Sequence, residues 1–365
     1  MTRLQTFAED RAEIMGLRRR TVLKGGAALG VGTLAVGAAG FGGGAQAAPK
    51  EVVVANWGGD AVKAMTEAFV VPYEKATGGK MVIDGSGPSN GKIKTMVLAK
   101  NVTWDLVDSG LAGTGELGPA GLLEEIDYSI VDKSKVTPGF AYKYGVCNYM
   151  FSTVQAWDTS RIKEKPTLAD FFDLKKYPGK RLMRKDSQAM LELALMADGV
   201  PADKLYPLDV PRALKKIAGI KKDLLFWGTG AESQSMLREG EVVMGWLWHT
   251  RGVLLQKDTN KKITFTFDGG LLQPGLWAVP KGNPAGKQAM VAIAAMQAPE
   301  GQVKLLAAMG NGPANPAAAP LVPPELNAIN PGAPENVKVQ AKIDADWYQA
   351  NYAKVRQQFL DMIAS

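Results

Sequence analysis

Cysteine and histidine are almost missing from this 365-residue chain, with Cys147 and His249 the only examples of each. A single cysteine rules out an intramolecular disulfide, an iron–sulfur cluster, a zinc knuckle and a haem-attachment motif. A single histidine argues against an ordinary zinc or copper site, so neither cofactor nor metal is expected. Beyond residue 47 there is no run of about 18 uninterrupted apolar residues, which a membrane span would need. Nor is there a basic block of the kind that binds nucleic acid. The net charge is +7, but six of the 43 basic and three of the 36 acidic residues precede Ala48, so the rest carries a surplus of about four. That mild surplus leaves room for a small anionic ligand.

What the chain does have begins near its start. Arg18-Arg19-Arg20-Thr21-Val22-Leu23-Lys24 is followed by a weakly hydrophobic, glycine-rich run and then by Ala45-Gln46-Ala47. Together these resemble a twin-arginine export signal with a small-x-small cleavage site, which implies passage through the twin-arginine translocase. Cleavage is expected between Ala47 and Ala48, and the mature protein is expected in the periplasm. An uncleaved anchor over 25–44 is the competing reading; the glycine and alanine content and the absence of a basic stop-transfer flank weigh against it. About 318 residues remain, enough for two lobes with cores of their own.

Along that stretch, strands and helices alternate. Residues 51–57 read as a short strand stopped by Gly58-Gly59, 60–77 as a helix, 80–84 as a strand, 92–100 as a helix and 104–108 as a strand. Residues 146–156 read as an apolar crossing strand, 179–183 and 241–248 as further strands, and 276–280 as a strand near a second crossing. Helical spacing recurs at 187–198, 209–220, 231–239 and through 337–364, with Thr167 opening a capped helix and 311–334 read as an ordered wrap. The alternation implies an α/β sheet with functional loops at the carboxyl ends of its strands.

Several segments, in order, are similar to periplasmic solute-binding proteins of ABC importers, of the spermidine/putrescine-binding type: Asn56-Trp57 after the first strand, PYEKATGGKMV, TWDLVDSG, LADFFDLKKYPGKR, LALMADGVPADKLYPLD, GEVVMGWLWHTRG and LWAVPKGNP. The resemblance implies a type II-like two-lobed α/β fold, each lobe a mixed, mostly parallel sheet flanked by helices. Crossing strands join the lobes, and the ligand is held in the cleft between them. The expected lobes are 48–153 with 275–325, and 154–274 with 326–365. It further implies an inner-membrane ABC permease as partner, and a chain that works as a monomer.

The same resemblance implies that Trp57, Ser109 and Trp248 stand in the cleft, with Asp186 at an acidic cleft position. Polyamine binders of this family grip a dication with aromatic faces and carboxylates. Here Gln273-Pro274-Gly275 replaces their Trp-x-Asp, and Ala189 replaces another acid. Arg251, three residues after Trp248, stands where γ-aminobutyrate-binding relatives carry an arginine, and a guanidinium fork suits a carboxylate. The expected ligand is therefore a small carboxylate or zwitterion, with polyamine as the alternative. Ser86, Tyr149, His249 and Trp347 complete the candidate set; Trp104, Trp157, Trp227 and Cys147 read as packing.

No catalytic residue is expected. The alternative class is a hydrolase, because Gly87-Pro88-Ser89-Asn90-Gly91 fits G-x-S-x-G between a strand and a helix, and His249 follows later. No oxyanion segment of the HGGG kind accompanies it, and the plainer reading is a loop that caps the next helix. A third class, a module that senses solute by docking on a receptor, has the same sequence signature as uptake.

Overall fold

Apolar runs bounded by glycine turns set the first strands, and long-range pairing sets the rest. The computed structural model describes residues 51–365, so the arginine motif, the apolar run and the expected cleavage point lie outside the described residues. The N-terminal half runs β1 (Val52–Ala55), α1 (Asp60–Met65), a π-helical segment (Thr66–Val70), α2 (Val71–Thr77), β2 (Met81–Asp84), α3 (Asn90–Leu98), β3 (Leu106–Ser109), α4 (Leu111–Leu117), β4 (Ala141–Tyr142) and the long β5 (Gly145–Asp158). Next come β6 (Arg181–Arg184), α5 (Met190–Ala197), α6 (Val210–Ala218), β7 (Leu224–Trp227), α7 (Gly230–Arg238), β8 (Met244–Trp248) and α8 (His249–Asp258). The chain closes with β9 (Ile263–Ala278), α9 (Gln288–Met296), α10 (Pro299–Met309), β10 (Gly312–Pro313), α11 (Pro334–Val337), β11 (Ala341–Lys342) and α12 (Ala345–Ala364).

Local chemistry marks many of the helix ends. Ser89, Asp209 and Asp344 accept hydrogen bonds from the first turns of α3, α6 and α12, and Thr229 and Glu232 form a reciprocal capping box on α7. Gly78 and Gly310, both left-handed, end α2 and α10. The capped start expected at Thr167 is one 3-10 turn, Ala169–Phe171, rather than a full helix.

The strand order is β2-β1-β3-β9-β5-β8-β6-β7. At each end three strands run parallel: β1 beside β2 and β3, and β6 beside β7 and β8. Between these half-sheets β5 and β9 lie antiparallel, in register from Val146 opposite Trp277 to Asp158 opposite Ile263, with irregularities after Cys147 and Thr153. The carboxyl-terminal part of β9 pairs with β3, and the later part of β5 with β8, so the β5–β9 pair joins the two half-sheets.

Each half has its own core. Val52, Val54 and Leu106 pack with Phe69, Tyr73 and Trp277 on one side. On the other, Met183, Leu191, Leu195 and Phe359 surround Trp246, which stacks on Phe171 at 4.1 Å. At the start of β6 the fully buried Arg181 donates to the carbonyls of Phe171, Asp173, Tyr177 and Gly179. This is the α/β architecture expected from the alternation of elements.

Candidate ligand-binding cleft

The carboxyl ends of the parallel strands in both half-sheets meet at one cavity of about 620 Å³. Asn56 and Trp57 follow β1, and Asp108 and Ser109 end β3. Opposite them, Arg184 ends β6, Trp227 ends β7 and Trp248 ends β8, all on the wall. The start of α8 adds Thr250 and Arg251, and β5 contributes Tyr149 and Phe151. Strand pairing sets each position, at the point where the chain leaves the sheet.

Aromatic rings form the centre. Trp248 lies edge-on to Trp57 at 5.4 Å, to Trp227 at 4.9 Å and to Phe151 at 6.3 Å. The Arg184 guanidinium sits 5.1 Å from the Trp248 ring and 5.8 Å from that of Trp227, a cation–π arrangement.

The charges divide sharply. Arg251 is only 2% exposed, and its Nη1 donates to Gln234 Oε1 at 3.2 Å while its Nε has no partner. Burial pushes its pKa down, opposed by Asp60 and Tyr149, yet a guanidinium remains charged at neutral pH. Neither Arg251 nor Arg184 is ion-paired with any described residue. The acids, in contrast, are already engaged. Burial raises the Asp108 carboxyl to about 7, although Tyr149, Trp57 and Asn56 donate to it, the last at 3.0 Å. Asp186 accepts from Gln188 N at 3.0 Å and the Tyr352 hydroxyl at 2.8 Å, and pairs with Arg356 Nε at 3.5 Å. A buried guanidinium without a carboxylate partner, such as that of Arg251, is equipped to receive an anion.

Of the sequence-predicted residues, Trp57, Ser109, Tyr149, Trp248 and Arg251 come together on the wall, and Ser86, His249 and Trp347 do not. Ser86 sits in an exposed turn after β2, its N–H donating to Asp84. His249 is fully buried; its Nδ1 accepts from Ser152 N–H at 3.0 Å, which leaves Nε2–H to donate to Gly310 O at 2.8 Å. Burial lowers that imidazole to about 4, so it is neutral. Trp347, in the first turn of α12, packs on Tyr206 and Tyr348.

Other residues were missed or placed differently by the sequence. Arg184 and Asp108 end unremarkable strands, and nothing local distinguishes their cleft-facing ends. Trp227, expected as packing, is fully buried with its indole N–H on Trp246 O at 2.9 Å, and it still borders the cavity. In the Gln273-Pro274-Gly275 stretch, Gln273 is buried against Gln188 and Thr153. A Cβ on Gly275 would lie 2.2 Å from the Tyr149 ring, so glycine there lets Tyr149 reach Asp108. Ser89 is held as the cap of α3, accepting from Lys92 N at 3.1 Å, and both ring nitrogens of His249 are engaged elsewhere, so the nucleophile–base pair of the hydrolase reading is not assembled.

A family model described as bacterial extracellular solute-binding protein matches residues 68–332. The gamma-aminobutyric acid-binding protein of Pseudomonas aeruginosa is 32% identical over 330 residues, spanning 87% of this chain and 92% of that protein. The structure of AgtB from A. tumefaciens R10 in complex with agropinic acid is 33% identical, with 87% and 99% of the two chains covered and a TM-score of 0.81. The structure of the Atu4243-GABA receptor is 32% identical, with 86% and 98% covered and a TM-score of 0.77. The spermidine/putrescine-binding protein PotD of Streptococcus pneumoniae shares 18% identity at a TM-score of 0.64, with 86% and 99% covered. That last likeness is one of fold alone, and it corrects the sequence-based resemblance to the polyamine-binding type to a distant one.

Proposed function

The chain belongs to the bacterial extracellular solute-binding protein family, and on that premise we propose that it captures a small carboxylate or zwitterion, with a γ-amino acid favoured, for an ABC importer. The observation that carries the ligand class is Arg251, buried at the cleft with no carboxylate partner. Relatives named for gamma-aminobutyric acid and agropinic acid support the same class. In this reading the ligand carboxylate docks between Arg251 and Arg184, its carbon chain lies against Trp57 and Trp248, and Ser109 and Tyr149 border the site. The lobes are 48–153 with 275–325, and 154–274 with 326–365; they close over the solute by bending at β5 and β9, and the closed monomer presents both to the permease. Export runs through the twin-arginine translocase to the periplasm, with cleavage between Ala47 and Ala48, and Arg19→Lys with Arg20→Lys is expected to leave precursor in the cytoplasm.

A thermal-shift screen tests the ligand class, using mature protein stripped of bound solute by unfolding and refolding. The panel holds polyamines, γ-amino acids, other amino acids and simple carboxylates. A ligand at a hundred times its dissociation constant adds about 2.7 kcal/mol, a readily measured shift. Shifts confined to carboxylates and zwitterions are expected; a response to putrescine alone would refute the reading.

A further inference from the structure

We propose that the first turns of α7 set the selectivity of Arg251: Gly230 makes room for its guanidinium, and Gln234 aims it without cancelling its charge. This rests on the reading of Arg251 as the carboxylate-binding group. A Cβ built on Gly230 would stand 2.3 Å from Arg251 Nε, 2.8 Å from Cζ and 2.9 Å from Nη2, so the guanidinium lies directly on the glycine. The backbone of Gly230 does not call for glycine, because its φ is not positive and helical positions favour alanine. What requires glycine is the side chain packed against it. The turn cannot easily retreat, since the capping box between Thr229 and Glu232 fixes the start of α7.

Gln234, one turn further on and 5% exposed, meets Arg251 Nη1 through a neutral amide oxygen. A carboxylate in that place would orient the guanidinium equally well but would neutralise it. The acid of the same turn, Glu232, is held by the N–H groups of Gly228 and Thr229 at 2.6 and 3.0 Å. The positive charge of Arg251 is therefore left uncompensated by α7 and available to a ligand.

The test compares wild type, Gly230→Ala and Gln234→Glu by calorimetric titration with γ-aminobutyrate and its carboxamide analogue, 4-aminobutanamide. It also follows the Arg251 Nε–H nuclear magnetic resonance signal, identified by its loss in Arg251→Lys. Wild type is expected to prefer the carboxylate. Gln234→Glu should melt at or above the wild-type temperature and Gly230→Ala should still fold cooperatively, and each should bind γ-aminobutyrate at least tenfold more weakly and lose most of that preference. Wild-type affinity and preference in both variants would overturn the proposal. If wild type binds neither probe, the γ-amino acid reading fails on its own, and the resonance decides the inference: a shifted Nε–H signal in both variants supports it, and an unchanged one overturns it.

Discussion

Arg181 and Arg251 are both buried in the same half of the molecule, and they make opposite use of the same functional group. At the amino end of β6, Arg181 meets four backbone carbonyls and serves as a staple between loop and strand. At the carboxyl side of the sheet, Arg251 has one amide oxygen and an unpartnered Nε. A saturated buried cation stabilises the fold, whereas an unsaturated one is a cost that a ligand can remove. Arg184, at the other end of the strand that Arg181 begins, extends the pattern: it lies over indole rings and has no ion pair among the described residues. Burial alone therefore does not separate a structural arginine from a binding one. The partner list does.

The sharpest way to break this comparison is to remove each side chain in turn. Arg181→Met is expected to cost on the order of 3–5 kcal/mol of stability by orphaning the carbonyls, measured by urea unfolding. Arg251→Ala should leave stability near wild type but weaken carboxylate binding by about 2–5 kcal/mol, roughly 30-fold or more, measured by calorimetry. If both variants lose stability alike, the distinction fails.

A second comparison, by pH, sets Asp108 on the cleft wall against His249, which lies off it. The Asp108 carboxyl is raised from 3.8 to about 7, so its contribution is complete below 3.8 and is lost as pH rises through 7. The His249 imidazole is lowered from 6.5 to about 4, so its contribution is complete above 6.5 and is lost as pH falls through 4. Each is worth on the order of 3–4 kcal/mol. The two slopes oppose each other between pH 4 and 6.5, so unfolding measured across that range should show stability rising with pH in Asp108→Asn and falling with pH in His249→Gln. The smallest expected effect is Ser89→Ala, at about 1 kcal/mol for a lost helix cap. A serine-directed fluorophosphonate that labelled Ser89 would instead revive the nucleophile reading.

Much of this was legible from the chain. Trp57 and Trp248 could be placed because each ends an apolar run just before polar turn residues, and the alternation of elements gave the α/β class. The 16-residue β9 was legible only at its end, because Gly269-Gly270 and Pro274-Gly275 read locally as breakers. Pairing with β5 across more than a hundred residues overrides that local reading. His249 was placed as a candidate by its neighbours in sequence, yet α8 starts at His249 itself. Two residues apart on a helix, His249 and Arg251 face different surroundings, one the interior and the other the cavity. Arg184 and Asp108 gave no signal, since a charged residue at a strand end is as often solvated as functional.

The edge contact between Trp57 and Trp248 has an optical consequence. One indole belongs to β1's half-sheet and the other to β8's, with Trp227 against the second. Any change in the width of the cleft alters the distance and angle between these chromophores, and with them their electronic coupling. Near-ultraviolet circular dichroism and tryptophan emission should therefore follow cleft movement without a label, making the unmodified protein its own gauge of solute capture.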